Sequence, residues 1–298
     1  MKKYQFLAVT ILLYILLISC SADQAQPQQN TDLTGIVTQG TWKVTHYTDH
    51  GGNETMHFVD YTFTFHSDNT ITASNGSTVI SGNWNITDNN NSPFYTDLSS
   101  TTDDTPEDLV DFNISFPIAN IDFNDIEDDW DVVTKSATEI VLKDGNADDP
   151  TKIDFITFEK VPTPSVDLAS AIRQGTWQVA YYSDHGSNQT LNFTGYSFTF
   201  GANGSIVVTN GTVPVAGSWT ITTANNSPLY TAPATADDSP NDAVDFNLIF
   251  PVATSPVLFT DIEDDWDRVF ISNNTIMLKD EVTLTPTLND YIIFRKLP

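Results

Sequence analysis

Apolar and polar residues alternate along most of this chain. In "VDFNISF", Val110, Phe112, Ile114 and Phe116 fall on one side, and Asp111, Asn113 and Ser115 on the other. Tyr61, Phe63 and Phe65 alternate with Thr62 and Thr64 in the same way. A period of two, in runs rich in aromatic and β-branched residues, predicts strands with one buried face. Clusters such as "HGGN", "SDN", "SNGS" and "DGNADDP" separate the runs as turns. Strands are therefore expected over residues 41–48, 55–65, 70–74, 78–87, 110–116, 129–134, 138–143 and 152–160. The one helical signal is a short segment ahead of the first strand, "DLTGIVTQ", with Asp32 as its N-cap. Eight strands in succession without a long helix predict an all-β fold, either an up-and-down barrel or a sandwich.

The pattern is written twice. "GTWKVTHYTDHG" at 40–51 aligns with "GTWQVAYYSDHG" at 175–186, "GNWNIT" at 82–87 with "GSWTIT" at 217–222, and "VDFNISFP" with "VDFNLIFP". "DLASAIRQ", capped by Asp167, repeats the helical signal, and DIEDDWD occurs at 125–131 and again at 261–267. The offset stays near 135 residues, so each copy is a domain rather than a solenoid unit. All six tryptophans form matched pairs: Trp42 and Trp177, Trp84 and Trp219, Trp130 and Trp266. The expected organisation is a leader over 1–19, a polar tether over 20–31, one domain over 32–161, a Pro-stiffened linker over 162–166 and a second domain over 167–298.

The leader begins with Lys2 and Lys3 and continues as an apolar run from Phe6 to Ile18. That is the length of a signal-peptide core and short of the roughly 20 residues that span a bilayer. "LISC", ending at Cys20, resembles the bacterial lipoprotein lipobox. The resemblance implies that Cys20 becomes the first mature residue and carries a lipid. Acyl chains would then hold the protein to a membrane of the cell envelope, expected to be the outer membrane, with a periplasmic or surface-facing chain. Cys20 is the sole cysteine, so the domains must be stable through their cores without disulfides.

A short helix, then Gly-x-Trp opening the first strand, then seven more strands with a second Gly-x-Trp in the fourth, resembles the lipocalin fold. The run "GTWKVTHYTDHG…FTFHSDNTITASNG…GNW" is similar to the lipocalin-like lipoprotein domains of Bacteroidota. The resemblance covers nearly all of 32–298 and implies two tandem eight-stranded antiparallel up-and-down β-barrels. It further implies a Trp stacked under a basic residue of the last strand at the closed end, here Trp42 with Lys160 and Trp177 with Lys296, where the family more often has Arg. It also implies non-catalytic binding of a small apolar or glycan-like ligand in the barrel mouth. The wall of such a cavity would be Phe63, Phe65, Phe112, Phe116, Phe198, Phe200, Phe246 and Phe250. An eight-stranded barrel is just wide enough for one small ligand or for its own side chains, so the same residues serve equally as a filled core.

Charge narrows the partners. With 12 basic against 39 acidic residues the net charge is −27, which opposes nucleic acid and favours cations or basic partners. The DIEDDWD blocks concentrate that charge. Asp125, Glu127 and Asp129, and their mates Asp261, Glu263 and Asp265, alternate so that an extended chain would place each trio on one side. Calcium needs six to eight oxygens, which Asp103–Asp104 and Asp237–Asp238 could help supply. The alternatives are a docking face for another envelope protein, with filled barrels, and a solvated turn leading into a strand that buries its Trp; the turn is the plainest of the three. His50 and His185 sit in "DHG" turns, but no nucleophile motif or HExxH accompanies them, so no catalytic residue is assigned. No cofactor is expected beyond that possible calcium.

Overall fold

The computed structural model describes residues 26–87, 110–117, 121–145, 153–212, 214–222, 244–251, 257–280 and 289–298. It contains two closed eight-stranded antiparallel barrels in tandem. Barrel 1 runs β1 (Trp42–Asp49), β2 (Gly52–Asn53), β3 (Thr62–Phe65), β4 (Thr70–Ser74), β5 (Val79–Thr87), β6 (Asp111–Ser115), β7 (Asp128–Lys135), β8 (Glu139–Asp144) and β9 (Asp154–Lys160). Barrel 2 repeats it as β10 (Trp177–Asp184), β11 (Ser187–Asn188), β12 (Ser197–Phe200), β13 (Ser205–Thr209), β14 (Val215–Thr222), β15 (Asp245–Ile249), β16 (Asp265–Ile271), β17 (Thr275–Asp280) and β18 (Asp290–Lys296). Sequential neighbours pair around each ring, and β1–β9 and β10–β18 close it. The two-residue β2 and β11 only extend the hairpin at the end of the first strand.

Three expectations change. The strand expected over 55–65 is a 3-10 turn, Thr55–Phe58, followed by a strand that starts at Thr62. Helix α1 starts at Gln26 and ends at Val37, so Asp32 lies inside it instead of capping it, 3.7 Å from Lys135 Nζ. Asp167 does cap α3 (Leu168–Ile172), its Oδ2 accepting the Ser170 N–H at 2.8 Å. The residues before β7 and β16 include one-turn helices, α2 (Ile121–Asn124) and α4 (Val257–Thr260).

Among the described residues, Trp42, Val44, Phe63, Phe65, Trp84, Phe112, Ile114, Trp130, Leu142, Ile156 and Phe158 are buried in one cluster inside barrel 1, and their counterparts are buried together in barrel 2. A buried indole needs an acceptor for its N–H. All six find a backbone carbonyl, in matched pairs: Trp42 and Trp177 donate to Val37 and Ile172 at the end of the preceding helix. Trp84 and Trp219 donate to His66 and Gly201 in a turn, and Trp130 and Trp266 to Ile126 and Ile262. The glycines of the second Gly-x-Trp are required by close packing. A Cβ on Gly82 would lie 2.2 Å from the Ser115 carbonyl and 2.7 Å from the Phe116 ring, and one on Gly217 2.6 Å from the Ile249 carbonyl.

The barrels meet through residues of β10, β16, β17 and β18 on the barrel 2 side and around the 3-10 turn Thr55–Phe58 and Val161 on the barrel 1 side. Val59, Tyr181, Phe270, Met277, Tyr291 and Ile293 form a third buried cluster between them, flanked by Met56 and Val161. At its side Glu159 is buried and accepts from Thr45 at 3.1 Å in its own barrel. From the other barrel it accepts from Ser272 at 2.6 Å, from Thr275, and from Arg295 at 3.4 Å. Arg295 also reaches Glu139 at 3.3 Å.

His46, on the outer side of β1, has its pKa lowered to about 4, first by burial and then by Arg295. Such a histidine stays neutral in the fold and takes up a proton more readily when unfolded. Stability should therefore be full above about pH 6.5 and decline as the pH falls toward about 4, by at most about 3 kcal/mol from this one group. Urea titrations of wild type and His46→Tyr across that range test this. Tyr is what the matching position 181 carries, and the variant's curve should fall less steeply.

Candidate functional site: an acidic rim on each barrel

The two ends of each barrel differ in chemistry. At one end Lys160 Nζ lies 5.8 Å from the centre of the Trp42 ring, and Lys296 Nζ 5.9 Å from that of Trp177. The helix before each barrel contributes Leu33 and Val37, or Leu168 and Ile172, to the core. A cation at that range over an indole contributes about 0.5–2 kcal/mol. The other end, where β1 and β8 finish and β7 and β9 start, collects carboxylates.

Antiparallel pairing produces this. Asp49 ends β1, Asp144 ends β8 opposite Asp154 at the start of β9, and Asp128 starts β7. Barrel 2 places Asp184, Asp280 and Asp290 likewise, with Asp280 opposite Asp290 and Asp264 just ahead of β16. Like charges directly opposite one another destabilise a sheet, and the rim tempers them with hydrogen bonds. His50 and His185 adopt left-handed backbone (φ 47° and 48°) in the turn after the first strand. Their N–H groups donate to Asp154 and Asp290 at 2.6 and 2.5 Å, and their rings hydrogen-bond Asp49 and Asp184. That ring contact, with Asp290 nearby, raises the His185 pKa. Burial raises the carboxyl pKa of Asp154 and of Asp290.

The DIEDDWD blocks feed the same rim, by a path their spacing does not suggest. The chain makes a turn at Asp125 and Ile126, and the strand begins only at Asp128. Tyr47 donates its hydroxyl to the Asp125 carbonyl at 2.6 Å, and Tyr182 to that of Asp261 at 2.5 Å. Glu127 turns back and accepts the Phe116 N–H at 3.1 Å and the Ser115 hydroxyl at 3.3 Å, and Glu263 accepts the Phe250 N–H at 3.2 Å. The two glutamates thereby satisfy the ends of β6 and β15. The structure thus does not gather Asp125, Glu127 and Asp129 on one side. In barrel 1 Asp128 approaches both Asp129 and Asp144 and is hydrogen-bonded to each. Burial, and after it the Asp144 charge, push the Asp128 pKa up to about 9. In barrel 2, Asp264, Asp265 and Asp280 bring carboxylate oxygens within 4.8 Å of one another. Asp49, His50 and Asp154, and Asp184, His185 and Asp290, bring two carboxylate oxygens and an imidazole nitrogen equally close. Asp128, Asp144 and Asp154 escape a reading by spacing because sheet register brings them together.

The eight phenylalanines lie in the cores. Phe65 contacts Trp84, Phe112 and Phe158 at centroid distances of 5.4–5.6 Å. Phe63 meets Phe158 at 5.5 Å and Phe116 meets Phe123 at 4.9 Å. Phe198 and Phe200 meet Phe294, Phe246 meets Phe200 and Trp219, and Phe250 meets Phe259. A cleft of about 730 Å³ lies instead between the barrels, lined by Thr138, Glu159, Val161, Pro162, Ser272 and Asn274 among others. Cys20, Asp103, Asp104, Asp237 and Asp238 lie outside the described residues. Among the described residues no helix is long and apolar enough to cross a membrane. No protein-family model matches the chain, and no curated protein matches it significantly.

Proposed function

We propose that the chain is a lipocalin-like lipoprotein, anchored in the cell envelope by a lipid on Cys20, that acts without catalysis by contacting a basic surface of another envelope protein through its acidic rims. The packed interior carries this reading: Phe65 is enclosed by three aromatic rings, so the barrel serves as a rigid mount and recognition falls to the outside. A net charge of −27, gathered partly into two matched rims, suits a basic partner and a salt-sensitive association. A second reading, binding of a small apolar or glycan-like ligand, draws support from the cleft between the barrels, where Val161 and Pro162 face Ser272 and Asn274.

In-cell cross-linking of the full chain, followed by mass spectrometry, tests the first reading. One envelope protein should be captured by wild type, and lost from an Asp154→Asn, Asp290→Asn variant and at high salt. Capture unchanged by that variant, or a small molecule co-purifying in place of a protein, would overturn it. Cys20→Ala should release the chain from membranes; unaltered partitioning would remove the lipid anchor from the proposal.

A further inference from the structure

A buried charge beside the contact between the barrels has no partner. Lys43 lies on β1 between Trp42 and Val44, whose side chains are in the core, so its own side chain points out of barrel 1. It is nevertheless only 4 % exposed, and the charge of Lys279, on β17 of the other barrel, acts on it. An ammonium is a compact, strongly hydrated charge, so covering it calls for an acceptor. Among the described residues Lys43 has neither a hydrogen-bond nor an ion-pair partner.

A suitable acceptor stands directly across the ladder. Lys43 is paired with Glu159 in the β1–β9 register, a position where opposite charges attract. Glu159 is engaged elsewhere. Its Oε1 accepts from Thr45, Thr275 and Arg295, and its Oε2 from Ser272. Three of these four donors belong to barrel 2 and are present only while the barrels are together. The ammonium belongs to the neighbouring strand of barrel 1 and is present always.

We propose that the contact between the barrels is a switch in which Glu159 exchanges partners: with the barrels together it is held by Ser272, Thr275 and Arg295, and with them apart it pairs with Lys43. Opening returns the ammonium to water, and the linker after Val161 keeps the halves in one chain while they part. Neither acidic rim takes part, so the switch stands or falls independently of any partner bound there.

Proton uptake sets the direction. Burial, opposed by Asp60 and aided by Lys279, lowers the Lys43 pKa to about 8. In the open form the solvated amine returns toward its ordinary value of 10.5. A proton therefore favours opening: closure strengthens as the pH rises from about 8 toward about 10.5, and below that window it is weak and constant. The charged groups around Lys43 are Glu159 on β9, Asp60 after the 3-10 turn and Lys279 on β17, with Arg295 and Glu139 behind Glu159. Carboxylates and guanidinium groups titrate far from the window. His46 is already neutral there, and Tyr181, its pKa raised by burial, keeps its proton.

Met277 reads the state of the switch. It is fully buried in the cluster between the barrels, so peroxide reaches its sulfur only through opening. In the full chain its oxidation, followed by mass spectrometry, should slow about 20-fold between about pH 7.5 and about pH 9.5, the factor that the two Lys43 pKa values give. Lys43→Leu should be slow at both pH values and lose that dependence. Lys43→Gln, which matches Gln178 at the equivalent position of barrel 2, should do the same if the leucine variant folds poorly. A carbodiimide, which joins a carboxylate to an amine in contact with it, should link Glu159 to Lys43 in proportion to the open fraction. Three results would overturn the proposal: Met277 oxidation independent of pH in wild type, a pH response that survives in both variants, or no Glu159–Lys43 link where Met277 is being oxidised.

Discussion

Phe65→Ala is expected to cost about 3–5 kcal/mol of unfolding free energy, read as a lowered urea midpoint for the first barrel. The ring is about 1 % exposed and touches Trp84, Phe112 and Phe158 edge-on. Removing it forfeits the transfer free energy of a large aromatic side chain and leaves a void that three rigid rings cannot close. The counterpart Phe200→Ala should cost somewhat less. Phe200 lies 5.9–6.0 Å from Trp219, Phe246 and Phe294, and Trp219 is itself slightly exposed. The experiment also bears on function. If the interior were an open ligand chamber, trimming its wall would enlarge the chamber and cost on the order of 1 kcal/mol. A loss that small would return the small-ligand reading to first place.

Glu159→Ala is expected to uncouple the barrels. The carboxylate gathers three hydroxyl donors and Arg295 at a site where Glu159 is 2 % exposed. Truncation leaves those three hydroxyls without that acceptor and the part-buried guanidinium with Glu139 alone, a loss of about 3 kcal/mol. The barrels should then melt in two separate calorimetric transitions, and protease should cut between Val161 and Asp167 sooner than in wild type. Glu159→Gln keeps an oxygen for Ser272 and Thr275 and should lose less. Replacing Glu159 and Arg295 together by leucine should recover only part of the coupling, because it removes the unpaired charge but leaves Thr45, Ser272 and Thr275 without the carboxylate. A single cooperative melt in Glu159→Ala would show that the hydrophobic cluster around Tyr181 and Met277 suffices alone.

The strands and their duplication were legible in the sequence because period-two alternation and a twice-written pattern are local signals; alternation fits a sandwich as well as a barrel, and the barrel followed from the resemblance to lipocalins. The phase of each strand follows from which residues are aromatic, and Asp167 reads as a cap because an aspartate three residues before a free N–H is a short-range motif. Thr55–Phe58 was not legible, since Met56 and Phe58 satisfy a period of two as well as they satisfy a single 3-10 turn. Gln26–Val37 starts in a stretch of Gln and Asn with no apolar stripe, so nothing marked its first turns. The acidic rim failed for a different reason. Spacing within DIEDDWD puts Asp125, Glu127 and Asp129 on one side only if the chain is extended there, and it is not until Asp128. Asp144 and Asp154 join through hydrogen-bonded register between strands, which no local pattern encodes.

Glu159 and Arg295 occupy the same position in the two copies, and so do Glu139 and Thr275. Glu159 reaches across to Thr275, while Arg295 reaches across to Glu139 and to Glu159. The contact therefore has approximate two-fold symmetry, with positions 159 and 295 close to its axis. In a dimer of identical single barrels the residue at that position would face its own copy, acid against acid or base against base. Covalent duplication lifts that restriction: once both halves share one chain they can diverge, and a self-repelling pair can become an attracting one. An interface that two separate, identical subunits could not build is open to a tandem protein.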